Sequence, residues 1–204
     1  RSGLAAHEGF ILVEADLSQI ELRIGLRLAG EFKLLALLGS GKDLYRISAG
    51  QSFHKAPEDV TDEERQMGKI TELSALFGVG AANLRQQFRT KGKLTVSLET
   101  SQYMTDVYRN SHLGVKAAWR EGDTIIRMIL QGVEGPVWGG MCHVQNGEII
   151  KPSGLPIRFE SLRETYDEEG KRVYLYDKRV GKKAVATKIY GAKVYQNAVQ
   201  SIAR

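Results

Sequence analysis

The sequence predicts an α+β protein that is mostly helical, and three observations carry that reading. Apolar residues recur at helical spacing, with clear start signals, over most of 18–131. Between 141 and 180 the pattern changes to short alternating segments broken by Pro-Ser-Gly and Glu-Glu-Gly. Helical spacing then returns in the closing segment. With 204 residues and 42% apolar content, the chain has enough apolar side chains to bury a core in one or two domains.

In chain order, the apolar run at 10–16 reads as a buried strand, followed by a helix over 18–38 in which Ile20, Arg23, Ile24, Arg27 and Leu28 give mixed apolar and basic faces. Asp43 is a helix N-cap for Asp-Leu-Tyr-Arg-Ile-Ser-Ala-Gly-Gln-Ser-Phe-His, a segment that ends near Lys55-Ala56-Pro57. The Gly-Ser-Gly-Lys at 39–42 is similar to a phosphate-binding loop, but Asp43 stands where Ser or Thr is needed and Ala36 where Gly is needed. A turn between helices accounts for it better. Thr61-Asp-Glu-Glu64 is a capping box and opens a helix that runs to Phe77 and ends at Gly78.

Beyond the glycines of Phe-Gly-Val-Gly, short helices are expected over 81–90 and 98–109 and a longer one over 112–131. In the longer helix Val115, Ala118, Trp119, Gly122, Ile125, Ile126 and Ile129 form a core-facing stripe. Small antiparallel hairpins fill 141–180, and helix resumes from about Ala184.

Composition excludes several function classes. The apolar runs are too short to cross a bilayer and the N-terminal residues lack a signal-peptide core, so a soluble, intracellular protein is expected. A lone Cys142 cannot form an internal disulfide, and His7, His54, His112 and His143 have no metal-ligand spacing, which argues against structural zinc. The net charge of +5 is compatible with a polyanionic partner and equally with none. The chain begins with Arg and stops within a helical pattern that has no capping Gly or Pro, so it is expected to be part of a longer one.

Two stretches carry candidate chemistry. Asp16 lies at the end of the apolar run, where a carboxylate on rigid backbone can bind a divalent cation; as N-cap of the helix that follows, it would have a purely structural role. Glu21, in that helix's first turn, suits the helix dipole as readily. On the capped helix, Arg65, Lys69, Leu73 and Phe77 recur at steps of four, two cations followed by two apolar groups along one slowly drifting stripe. Such a stripe can bind a nucleoside triphosphate lengthwise. It can also be an amphipathic helix with Leu73, Leu76 and Phe77 in the core and its cations paired to Glu63, Glu64 or Glu72.

Together these residues resemble the family A DNA polymerases. Asp-Leu-Ser-Gln-Ile-Glu-Leu-Arg, 16–23, is similar to the first palm motif Asp-Tyr-Ser-Gln-Ile-Glu-Leu-Arg and differs at Leu17. Residues 65–80 resemble the fingers helix, in a form closer to phage and prophage members. Residues 190–204 resemble the helix before the last palm motif, and the order of the three segments agrees.

The resemblance implies template-directed DNA synthesis on a DNA primer-template from dNTP, with two Mg2+ ions bound by Asp16 and the backbone carbonyl of Leu17. It implies dNTP contacts from Gln19, Glu21, Arg65, Lys69, Leu73 and Phe77, with Lys69 also catalytic through charge neutralisation. Glu21 would exclude a 2′-hydroxyl, and Arg23, Gln196 and Gln200 would contact DNA. Three regions are implied: a palm segment at 1–30, helical fingers at 31–140, and a second palm segment with β-hairpins at 141–204. The cytoplasm of a bacterium or phage-infected cell is the implied location.

The sequence departs from the family in three respects. Tyr45 stands where the family usually has His, Leu73 and Phe77 offer less aromatic surface than usual, and no matching His-Asp-Glu motif with the second carboxylate is found. The isolated chain is therefore expected to be inactive. The rival readings are a non-catalytic DNA-binding relative and, against Glu21, an RNA-synthesising one. The basic stretch 171–183 is a DNA contact or a solvated hairpin, and the oligomeric state is open.

Overall fold

Eight α-helices and two small antiparallel sheets make up the computed structural model, which describes residues 5–13 and 17–204. The helices are α1 (Ile20–Leu28), α2 (Phe32–Gly39), α3 (Leu44–Phe53), α4 (Asp62–Ala75), α5 (Ala81–Gln87), α6 (Leu98–Ser111), α7 (Leu113–Gln131) and α8 (Gly191–Ile202). The first sheet is a meander of β1 (Gly135–Val137), β2 (Cys142–Gln145), β3 (Glu148–Ile150) and β4 (Pro156–Ile157). The second has the order β5 (Arg163–Tyr166), β6 (Arg172–Val180), β7 (Lys183–Ile189). The fold class is α+β, as expected.

The helix starts follow the capping chemistry. Asp43 Oδ1 accepts hydrogen bonds from the backbone of Tyr45 at 3.0 Å and Arg46 at 3.3 Å, which opens α3. The capping box of α4 is complete: Thr61 Oγ1 accepts from Glu64 N at 3.2 Å, and Glu64 Oε2 accepts from Thr61 N at 2.8 Å. Residues 40–42 are a turn between α2 and α3, as their sequence indicates. The α7 stripe is core, with Val115, Ala118, Gly122, Ile125 and Ile126 buried.

Three expectations are corrected. The run at 10–16 is not a strand over its described part: residues 10–13 have no regular structure and are exposed, Ile11 at 87%. A strand needs a neighbour to satisfy its backbone donors and acceptors, and among the described residues none pairs with it. The single helix over 18–38 is two helices, because the chain turns at Ala29 and at Gly30, whose φ of +70° is left-handed. Helix does not resume at Ala184: residues 183–189 form β7, held by β6 across the pairs from Val180–Lys183 to Tyr174–Ile189. Alternation at 183–189 was obscured by small residues that suit either state.

Two hydrophobic clusters flank α4. The larger gathers Leu22, Leu26, Leu44, Leu76, Ile125, Trp138, Val194 and Tyr195 from helices and the first sheet, with Leu73 and Phe77 packed against it. The smaller joins Met67, Ile70, Leu84, Phe88 and Met104. Polar ties link the elements around α4: Trp119 Nε1 donates to the Leu76 carbonyl at 3.0 Å, and the Tyr195 hydroxyl donates to the Gly25 carbonyl at 2.6 Å. Helices α7 and α8 cross at Gly122 and Gly191, where the backbones approach too closely for a side chain on either residue.

Candidate functional site

Helix α4 presents its stripe to an open cleft of about 520 Å³ whose walls come from separate parts of the chain. Leu73 and Ser74 line it from the end of α4, which stops at Ala75 rather than at Phe77, Phe77 and Gly78–Gly80 from the following turn, Glu21 from α1, and Gln196 and Gln200 from α8. Asn83, Gln87 and Lys91 complete one wall, and Tyr190 and Lys193 another. A smaller hollow of about 230 Å³ lies along the same helix and is lined by Gln66, Lys69, Ile70, Leu73, Ser74 and Lys91. Leu73, Ser74 and Lys91 border both, so the stripe from Lys69 to Phe77 runs along two adjoining hollows.

The N-terminal half of the stripe is organised around Tyr45. Its ring is buried, with the Arg65 guanidinium 5.6 Å and the Lys69 ammonium 6.0 Å from its centroid, both within cation–π range. Arg65 Nε also donates to Asp43 Oδ2 at 2.6 Å, so the α3 cap holds the first cation of α4. Desolvation alone would raise the Asp43 carboxyl, but hydrogen bonds from Arg65 and from the backbone of Arg46 and Tyr45 outweigh it and hold the group below its ordinary value. Burial raises the Tyr45 hydroxyl. The surface pairing of these cations with Glu63, Glu64 or Glu72 does not occur among the described ion pairs: Glu64 pairs with Lys55 at 2.6 Å and Glu72 is buried beside His112.

The structure brings Glu21, Lys69, Leu73, Phe77, Gln196 and Gln200 to these adjoining hollows and leaves other expected residues apart. Arg65 stands beside them, engaged with Asp43. Gln19 is the left-handed N-cap of α1 with φ 57°, and lines neither hollow. Arg23 donates to the Ser18 carbonyl at 3.2 Å and reaches the Leu38 carbonyl at 3.5 Å, which ties α1 to the end of α2. Leu17 is exposed, and Asp16 lies outside the described residues. Among the described residues, no group of three His, Cys, Asp or Glu side chains converges to hold a metal ion, and no helix is long and apolar enough to cross a membrane.

Sequence reasoning missed the polar wall facing the stripe. Gln87 Oε1 accepts from Ser74 Oγ at 2.6 Å and from Lys91 Nζ at 2.8 Å, and Lys193 Nζ donates to Gln196 at 2.9 Å. Gln87 and Lys91 share one helical face at a spacing of four, a signal visible in the sequence but with no indication of what it faces.

The family model described as DNA polymerase family A matches residues 1–127. The chain is 32% identical over 122 residues to the thermostable DNA polymerase I of Thermus thermophilus, a match covering 60% of this chain and 14% of that protein. It is 33% identical over 101 residues to DNA polymerase I of Aquifex aeolicus (strain VF5), covering 50% of this chain and 18% of that protein. A solved structure of the polymerase domain of Pol1 from M. smegmatis, in complex with DNA primer-template and dNTP, aligns with a TM-score of 0.44 and 26% identity over 57% of this chain and 19% of that one. The matched part of the chain thus corresponds to less than a fifth of the length of these relatives.

Proposed function

Since the chain belongs to DNA polymerase family A, whose model matches residues 1–127, we propose that it forms the nucleotide-binding part of a template-directed DNA polymerase. In this reading, residues 31–140 act as the fingers, and 1–30 and 141–204 as parts of the palm. The observation that carries the proposal is the convergence of Glu21, Leu73, Phe77, Gln196 and Gln200 from α1, α4 with the turn after it, and α8 on one cleft, with Lys69 in the adjoining hollow.

The chemistry follows from side-chain types. Lys69 and Arg65 offer positive charge to the triphosphate of a dNTP, and Lys69 neutralises charge developing at the reacting phosphate. Leu73 and Phe77 offer an apolar surface to the base, as family members do with more aromatic side chains. Glu21 borders the same cleft and acts sterically against a ribose 2′-hydroxyl. Gln196 and Gln200, on the opposite wall, donate to the primer-template.

Divalent ions, for which Mg2+ at Asp16 and the Leu17 carbonyl is our proposal, would activate the primer 3′-hydroxyl and neutralise the triphosphate. The described residues do not furnish the remaining ligands, and the matched region covers 14% and 18% of the relatives' lengths. The isolated chain is accordingly expected to extend no primer.

The test is primer extension by the full-length protein that contains this chain, with all four dNTPs and Mg2+, beside Asp16→Ala. Extension abolished by the substitution supports the reading. A folded wild-type protein that binds primer-template and extends nothing overturns it in favour of a non-catalytic DNA-binding relative.

A further inference from the structure

Behind the stripe, α4 carries a carboxylate in a place where helices seldom carry one. Glu72 is completely buried, and both of its oxygens lack a hydrogen-bond partner within ordinary distance among the described residues. Nε2 of His112 lies 3.5 Å from Oε2, and His112 is itself 3% exposed. His112 sits at the elbow between α6 and α7 and stacks on Tyr108 with ring centroids 4.0 Å apart and planes 11° from parallel.

The hydrogen bonds on the other side of the imidazole assign its protons. Nδ1 lies 3.1 Å from the Tyr108 carbonyl, which can only accept, and 2.9 Å from Ser111 Oγ. The single Ser111 hydroxyl hydrogen has the Val107 carbonyl at 2.9 Å or the Tyr108 carbonyl at 3.1 Å to donate to, which leaves the Ser111 oxygen to accept from Nδ1. Nδ1 therefore carries a hydrogen. A neutral ring would then turn the bare lone pair of Nε2 toward a carboxylate, leaving two buried acceptors face to face. A hydrogen on Nε2, turned toward Oε2 3.5 Å away, removes that conflict.

We propose that Glu72 and His112 are positioning residues, the proton they share holding α4 against the α6–α7 elbow and thereby setting how Lys69, Leu73 and Phe77 are presented to the cleft. At about 100° per residue, Glu72 lies roughly 60° around the helix from Lys69 and about 100° from Leu73, so a rotation of α4 about its axis that separates Glu72 from His112 also turns the stripe. A buried ion pair is a poor source of net stability compared with apolar packing, but it is specific in orientation.

Burial lowers the proton affinity of His112, yet the Glu72 carboxylate and the Tyr108 carbonyl outweigh it and raise the group above the ordinary histidine value. The other titratable or charged groups around the pair are Glu31, Tyr108, Tyr45 and Tyr195, and burial together with Glu72 keeps Tyr108 protonated. The stabilising proton is fully present below the ordinary histidine pKa and is lost as pH rises through the raised one. Loosening is therefore alkaline.

The nucleotide readout rests on the polymerase reading, and a second readout does not. In the full-length protein, the wild type is expected to show a rise in the KM for dNTP at alkaline pH, and Glu72→Gln and His112→Gln are expected to raise that KM about 3- to 30-fold with kcat less affected and to remove its alkaline rise. The paired apolar replacement Glu72→Leu with His112→Leu separates positioning from simple packing. It is expected to fold and to keep the raised KM; a folded double variant with wild-type KM overturns the proposal.

Independently of activity, the His112 imidazole in the 204-residue chain is followed by NMR against pH. It is expected to titrate above the ordinary histidine value in the wild type and lower in Glu72→Gln. A His112 that titrates at or below the ordinary histidine value, or is indifferent to Glu72→Gln, overturns the shared proton whether or not the parent protein extends a primer.

Discussion

Replacing Gly122 by alanine sets helix propensity against packing. Taken alone, Gly to Ala inside a 19-residue helix such as α7 stabilises it by about 1 kcal/mol. At the α7–α8 crossing, however, the new Cβ would lie 2.8 Å from Gly191 Cα and nearer still to the Gly191 carbonyl oxygen. These are backbone atoms, and they cannot rotate away as a flexible side chain would. Nor can Gly191 shift freely, because its N–H donates to Asp123 Oδ1 at 2.6 Å from the same helix. Overpacking costs about 1–3 kcal/mol, and rigid backbone on both sides puts this site at the upper end. Net destabilisation of about 2 kcal/mol follows from subtracting the propensity gain. For a chain of this size, that lowers Tm by about 4–8 °C.

The assay is thermal unfolding followed by circular dichroism, checked by urea titration, on wild type, Gly122→Ala and a control. The control is Gly39→Ala at the end of α2, where nothing lies within 4 Å of a new Cβ and only the propensity gain should be seen. A Gly122→Ala variant melting at or above the wild-type temperature would refute the reasoning and mean that α7 and α8 can separate freely. In that event the placement of Gln196 and Gln200 opposite α4 would not depend on the crossing.

Thr61→Ala removes one half of the α4 capping box and should cost about 1 kcal/mol, read as a lower urea midpoint with an unchanged slope. Asp43→Asn should weaken the hold on Arg65. Because the folded Asp43 carboxyl is held below its ordinary value, the stability difference between wild type and variant should be full above about pH 4, the unfolded aspartate range, and fade as pH falls through the folded value; urea midpoints measured between pH 7 and pH 2 check this. Burial, with Glu121 nearby, raises the Cys142 thiol to about 11, so a maleimide at pH 8 should leave it unlabelled in the native chain and label it rapidly in urea. Glu21→Ala in the full-length protein should increase ribonucleotide incorporation relative to deoxynucleotide by roughly 10- to 200-fold, measured as a ratio of kcat/KM values.

The legible parts of the fold were those whose cause lies within a turn or two of the chain. Asp43 and Thr61 each carry an acceptor placed for backbone N–H groups two or three residues on, so α3 and α4 could be started correctly from the sequence. The core face of α7 likewise follows from one helix's own periodicity. Where a partner strand decides, the sequence misled. Residues 10–13 are apolar enough for a strand and have no described neighbour to pair with, whereas 183–189, read as helix, is a strand because β6 lies beside it.

The candidate site divides in the same way. The stripe Arg65, Lys69, Leu73, Phe77 is a property of one helix, and the sequence by itself determined its order of charge and apolar surface. What faces that stripe was decided only by the tertiary structure, which sets α1 and α8 side by side through the Tyr195 hydroxyl on the Gly25 carbonyl, 170 residues apart in the chain. The same holds for Tyr45 between two cations and for the proton shared by Glu72 and His112. Capping and periodicity act over a few ångströms along one backbone. A buried charge or a cleft exists only where packing has brought distant segments together and excluded water, and no local pattern encodes which segments those will be.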